Sequence, residues 1–146
     1  MPKKEPIKGT YCLLIHLKHD SKITIGKLGE KNFTKGYYIY VGSALNSLKP
    51  RIQRHLKKEK KIHWHIDYLL NNENAEIIEV LYTISDIKWE CKIAATIAET
   101  STGVINFGCS DCKCNSHLLY FEKYPDSRKT CINSLQKYDL KVNLYK

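Results

Sequence analysis

The stretch from Gly9 to His55 constrains this chain most. Gly9-Thr10-Tyr11 opens an apolar run that ends at Leu17. A second run follows at Gly36-Tyr37-Tyr38-Ile39-Tyr40-Val41-Gly42, and a basic segment then carries Arg51, Arg54 and His55. β-branched and aromatic residues in short runs bounded by glycine read as strands. Arg51, Arg54, His55 and Lys58 recur at helical spacing, so they share one side of a helix. Stability alone does not require two tyrosines on neighbouring strands followed by an arginine and a histidine one turn apart.

The remaining segments fall in line around this unit. Residues 1–8 are polar with two prolines and read as a flexible lead-in. Lys22-Ile23-Thr24-Ile25 alternates like a half-exposed strand, so residues 9–42 suggest an antiparallel meander that Gly42 ends through positive φ or close approach. Ser47 is the N-cap and Pro50 sits in the first turn of a helix whose buried stripe is Leu48, Ile52 and Leu56. A short helix spans 66–71. A strand follows with Ile78, Val80, Tyr82 and Ile84 on its buried face. Ser85-Asp86 caps a third helix over 87–100, a Gly- and Cys-rich stretch leads to a last strand over 117–121, and a final helix spans 125–137. The chain reads as one domain over 1–146: lead-in 1–8, core 9–100, then 101–146. Its class is α/β, with a small antiparallel or mixed sheet of three to five strands flanked by helices.

The net charge of +9 favours polyanionic partners, nucleic acid before anionic membrane. Between Lys49 and Lys61 there are seven Lys or Arg and one acid, Glu59. That face is either merely solvated or a surface that tracks phosphates. No apolar run reaches the ~20 residues of a membrane span, and the N-terminus has no secretory signal. A cytoplasmic protein with no membrane partner is expected. Six cysteines in a reducing compartment then read as thiols rather than a disulfide framework. Cys12 and Cys91 read as small hydrophobes.

The half-motifs Gly9-Thr10-Tyr11 and Tyr40-Val41-Gly42 resemble the two signatures of the GIY-YIG nuclease superfamily. The element order from Gly9 to about Thr100 is similar to that superfamily. The chain resembles most a small branch of largely uncharacterised prokaryotic proteins, some joined to an endonuclease III-like glycosylase. That branch shares the runs Tyr40 to Ala44, Arg51 to His55, Trp64 to Leu69, Glu90-Cys91 and Asp111 to Leu118. The resemblance implies a metal-dependent endonuclease hydrolysing DNA phosphodiesters, in DNA repair or structure-specific cleavage, with RNA as the other polyanion.

It also implies residue roles. Tyr11, Tyr40, Arg51, His55 and Glu90 would be catalytic, with Glu90 holding Mg²⁺ or Mn²⁺. Arg51 would bind the scissile phosphate and His55 would relay a proton. Gly42, Lys49, Arg54, Lys57, Lys58 and Lys61 would face the nucleic acid. The chemistry is coherent, since phosphodiester hydrolysis needs an activated water, charge neutralisation and help for the leaving oxygen. Three departures stand out: Thr10 replaces isoleucine, Lys22 to Phe33 is extra, and the late asparagine has no counterpart carried onto Asn106. A fold that binds nucleic acid without chemistry is the alternative.

Two constellations stay open. Cys109, Cys112, Cys114 and His117 offer four ligands for zinc, or a compact turn of buried thiols; zinc would make this a stabilised interaction domain. His63-Trp64-His65-Ile66-Asp67 could supply a further base, His65, oriented by Asp67. It could equally place Trp64 in the core with Asp67 capping the short helix.

Overall fold

The computed structural model describes residues 7–44, 48–104, 107 and 116–145. The strands are β1 (Gly9–Leu17), β2 (Ser21–Thr24), β3 (Glu30–Phe33), β4 (Gly36–Ala44), β5 (Ala75–Ile84), β6 (Thr102–Gly103), β7 (Leu118–Phe121) and β8 (Asn143–Leu144). The helices are α1 (Leu48–Leu56), α2 (His65–Leu70), α3 (Glu90–Ala98) and α4 (Tyr124–Gln136). Six strands form one antiparallel sheet in the order β6-β7-β4-β1-β5-β8. The class is α/β as the sequence implies, but the sheet exceeds three to five strands. The two edge strands, β6 and β8, have two residues each, too few to leave a periodic trace in the sequence.

β1 sits inside the sheet, paired with β4 and β5, and both of its faces are covered. Successive side chains point to opposite faces. Tyr11, Leu13, Ile15 and Leu17 therefore pack with Tyr38 and Tyr40 against Leu48 and Ile52 of α1 and Ile66, Leu69 and Leu70 of α2. Cys12 and Leu14 pack with Ile39 and Val41 against Ile93, Ala94 and Ile97 of α3 and Cys131 and Leu135 of α4. Burial on both faces is why β1 reads as an unbroken apolar run. Each fully buried aliphatic side chain contributes roughly 1.5–3 kcal/mol.

Several expectations give way. The strands over 21–33 do not continue a meander. β2 and β3 form a separate two-stranded hairpin, while β1 pairs directly with β4 through nine positions. The hairpin contributes Ile23, Ile25 and Phe33 to the α1–α2 side of the core. Gly42 does not end its strand, because β4 runs on to Ala44. The lead-in is tied down by position 7: Ile7 O accepts from Leu48 N at 2.9 Å and Lys8 O from Ser85 N at 3.0 Å. Ser47, expected as the N-cap of α1, lies outside the described residues.

On β5 the expected alternation fails. Val80, Leu81 and Thr83 are buried, whereas Ile78 and Ile84 are exposed. The pairing with β1 steps from Leu14↔Glu79 to Ile15↔Ile77, so Ile78 is the extra residue of a bulge and turns outward. The third helix starts at Glu90 rather than 87. Ser85 Oγ accepts from Ile87 N and from Trp89 Nε1, both at 3.1 Å, and so caps a turn ahead of the helix. No helix among the described residues is long and apolar enough to cross a membrane.

Candidate active site

The site builds from the register of β1 and β4. Tyr11 stands opposite Gly42, and Leu13 opposite Tyr40, so both phenols project from the α1–α2 side of the sheet. Gly42 is required by close approach rather than by its φ. A Cβ there would stand 2.6 Å from both Cζ and Oη of Tyr11, so a residue without a side chain lets the ring lie against β4. Thr10, the departure from the resembled motif, is fully buried, and its hydroxyl has no hydrogen-bond partner among the described residues.

α1 brings His55 to Tyr11. At 3.6 residues per turn His55 falls about 20° from Leu48, and Leu56 about 80°. His55 accordingly joins Leu48 and Ile52 in the core while Leu56 is 44% exposed. The expected stripe thus ends on the histidine, and His55 does not share a solvated face with Lys58. Tyr11 Oη lies 2.8 Å from His55 Nε2. The His55 ring also packs at 6.2 Å from that of Tyr40 and at 5.7 Å from that of Trp64. Nδ1 is buried with no partner among the described residues. A bare lone pair is tolerated more often in protein interiors than an orphaned N–H. The 2.8 Å contact serves either tautomer: the phenol donates to a bare Nε2, or Nε2–H donates to the phenol oxygen.

Burial dominates the electrostatics. It lowers His55 to about 4, so the ring is neutral near pH 7; Asp67 opposes the shift, and Lys60, Arg54 and Arg51 add to it. Burial raises Tyr11 well above the usual phenol range, with Arg51 pulling it back and Glu90 and Asp67 pushing it further. Tyr40 is also raised by burial, with Tyr11, Glu90 and Asp67 adding and Arg51 opposing. The Glu90 carboxylate and the Arg51 guanidinium are therefore near enough to both phenols to act on their charge. Among the described residues the Tyr40 hydroxyl makes no hydrogen bond, and the residue is 8% exposed.

Glu90 opens α3, with its side chain 13% exposed. Lys88 Nζ reaches its Oε1 at 3.1 Å, and the Lys88 side chain is 53% exposed. An acid in the first turn is favoured by the helix dipole in any case. Its charge also acts on His117, which is buried. His117 Nε2 lies 3.6 Å from Cys91 Sγ, a weak polar contact that a small, half-buried thiol can make. Cys109, Cys112, Cys114 and Asn106 lie outside the described residues.

The two arginines of α1 differ. Arg54 grips Asp67 with both arms, Nη1 to Oδ1 at 3.1 Å and Nη2 to Oδ2 at 3.0 Å, and also donates to Lys61 O at 2.7 Å. Among the described residues Arg51 has no acid partner: Nη1 donates one long hydrogen bond to Ser43 O at 3.3 Å, and the guanidinium also acts on the Tyr11 hydroxyl. Asp67 is fully buried and also accepts from His63 N and Trp64 N at 2.9 Å each. Burial works against its charge, but the bonds from Arg54 and the two backbone amides hold its carboxyl below the usual range. Asp67 thus orders the start of α2 and does not orient His65. His65 stands beside Phe107, ring centroids 5.7 Å apart, and burial lowers its pKa.

Lys49, Lys57, Lys58 and Lys61 are exposed around α1. Lys58 Nζ reaches Ala75 O at 3.0 Å. Lys60, not singled out from sequence, closes the C-terminus of α1 by donating to His55 O at 2.7 Å and Lys57 O at 2.6 Å. Cations at a helix C-terminus are favoured by its dipole. A family model described as "Domain of unknown function DUF123" matches residues 10–140. No curated protein and no solved structure matches the chain.

Proposed function

The chain belongs to the DUF123 family, a domain of unknown function, and from there we propose that it is a metal-dependent endonuclease of GIY-YIG type acting on DNA. One observation carries the reading. Tyr11, Tyr40, Arg51, His55 and Glu90, drawn from β1, β4, α1 and α3, gather where each acts on another's charge or hydrogen bonding. A basic surface holding Lys49, Lys57, Lys58 and Lys61 borders α1 and would follow a phosphate backbone. RNA would satisfy the same contacts.

The residues fit a hard divalent cation. Among the described residues no three His, Cys, Asp or Glu side chains gather into a cage. Glu90 alone would hold the ion, and Mg²⁺ commonly rests on one or two carboxylates with waters and substrate oxygens completing its shell. The Lys88 contact is no seal, because an ion pair with an exposed lysine is worth only about 0–1 kcal/mol. When bound, the metal would neutralise charge on the phosphate and favour hydroxide at neutral pH.

The protein's own groups divide the remaining work. Arg51, with most of its donors uncommitted, would grip the scissile phosphate through its planar fork. Arg54 is spent on Asp67 and would not. Tyr11 would align the attacking water. The Arg51 charge favours electron density on the Tyr11 oxygen and offsets part of the burial that keeps the phenol protonated. Tyr40 offers a further hydroxyl to a phosphate oxygen.

The test is cleavage of supercoiled, branched, damaged and single-stranded DNA with Mg²⁺, with Mn²⁺ and with chelator. Metal-dependent cleavage that stops on chelation supports the reading. Salt-sensitive binding without cleavage of any of these would instead assign a binding module that lacks the chemistry.

A further inference from the structure

Two arginines one helical turn apart meet the same indole. Arg54 Cζ lies 4.4 Å and Arg51 Cζ 4.7 Å from the centroid of the Trp64 ring. Like charges so close would repel if both were uncompensated. The buried Asp67 carboxylate neutralises Arg54 through a two-armed pair, which leaves Arg51 as the net charge. The same carboxylate holds Trp64 N and His63 N, so the indole is fixed at its own backbone. Among the described residues Arg51 has no carboxylate to fix it, only the 3.3 Å bond to Ser43 O and a side-chain interaction with the Tyr11 hydroxyl. An arginine side chain carries about 2 kcal/mol of rotamer entropy, and neither contact has the two-armed geometry that locks Arg54.

We propose that Trp64 is the positioning residue for Arg51: its ring, anchored through Asp67 and Arg54, holds that guanidinium beside Tyr11. The inference deepens the nuclease reading and rests on Arg51 as the phosphate ligand. Trp64 touches no reacting atom. It sets where the cation waits before substrate arrives, and a preset cation costs less to order on binding.

The test is a double-mutant cycle on DNA cleavage. Trp64→Leu removes the aromatic face, and Trp64→Phe keeps one. The expected fall in kcat/KM is about 10-fold for Trp64→Leu and under about threefold for Trp64→Phe, in the range of a cation–π contact. In an Arg51→Ala background Trp64→Leu should cost nothing further, because the partner it positions is gone. A purely structural role would cost the same in either background, and that result overturns the proposal, as does parental activity in Trp64→Leu.

A second readout needs no activity. The Arg51 Nε–H proton, near a ring face, should resonate upfield in the parent and in Trp64→Phe and return to the ordinary position in Trp64→Leu. An ordinary shift in the parent overturns the proposal. Absence of cleavage in the parent contradicts the nuclease reading instead, and the resonance still decides the role of Trp64.

Discussion

Tyr11 Oη and His55 Nε2 meet at 2.8 Å inside the core, where they bolt β1 to α1. Both residues are only 2% exposed, so each is the other's partner in place of bulk solvent. Tyr11→Phe leaves both imidazole nitrogens without a protein partner. An unmet buried polar group costs about 1–3 kcal/mol. The urea midpoint should fall accordingly with the slope unchanged, and cleavage should be lost with the hydroxyl.

Gly42 gives a second, steric test of the same ring. Gly42→Ala puts a methyl 2.6 Å from the Tyr11 hydroxyl and ring carbon. The expected destabilisation is about 1–3 kcal/mol, the usual cost of overpacking. In a Tyr11→Ala background the clash has no partner, so the added cost of Gly42→Ala should largely vanish. Thermal melts of the four proteins measure it.

Stability should fall on mild acidification. His55 is held neutral to about 4 in the folded protein, against about 6.5 in a free chain. Below about 6.5 the unfolded chain therefore binds a proton the folded one refuses. Its contribution to stability is complete above that pH and is lost progressively as pH falls towards 4. Lowered values for His65 and His117 act in the same direction. The charged and titratable groups around His55 are Tyr11, Tyr40, Asp67, Lys60, Arg54 and Arg51. Urea midpoints across pH 4–7 should rise with pH. In His55→Gln the slope should flatten.

The two arginines of α1 should separate cleanly. Arg54→Ala strands a fully buried carboxylate, a loss of about 3 kcal/mol. Arg51→Ala should cost less, about 1 kcal/mol, since it gives up one long hydrogen bond, a ring contact and its interaction with the Tyr11 hydroxyl but strands no buried charge. DNA affinity should respond in the opposite sense, with Arg51→Ala weakening binding and Arg54→Ala in its folded fraction binding nearly as the parent. Denaturation curves and salt titrations of binding read both.

Much of this architecture is legible in the residues, and the failures have physical causes. The spacing of Tyr11 and Tyr40 on paired strands follows from the period of two, so their shared face is readable once the half-motifs are aligned. His55 is harder. Histidine reads as polar, and the pattern 48-52-56 looks as apolar as 48-52-55 until Tyr11 provides the partner that makes burial affordable. The bulge at Ile78 is invisible because one extra residue changes neither composition nor turn signals. The pairing of Arg54 with Asp67, thirteen residues apart, is a tertiary event. Yet Trp64 and Asp67 stand three residues apart, the offset of a helix-capping pair, and that signal is what makes a structural role for the carboxylate readable in the sequence. The meeting of Cys91 with His117 joins α3 to the start of β7 and has no local trace.

The nuclease account stands most directly on Glu90. Glu90→Gln keeps the size and shape of the side chain, removes its charge and exchanges one acceptor oxygen for a donor amide. The decisive measurement is the rate of DNA nicking in Mg²⁺ by parent and variant at matched DNA occupancy. The account expects the variant to bind as the parent does and to nick at least about 100-fold more slowly, the scale of losing a group that stabilises transition-state charge. Equal nicking rates would contradict it, leaving the acid as the helix-opening residue that its position in α3 already explains.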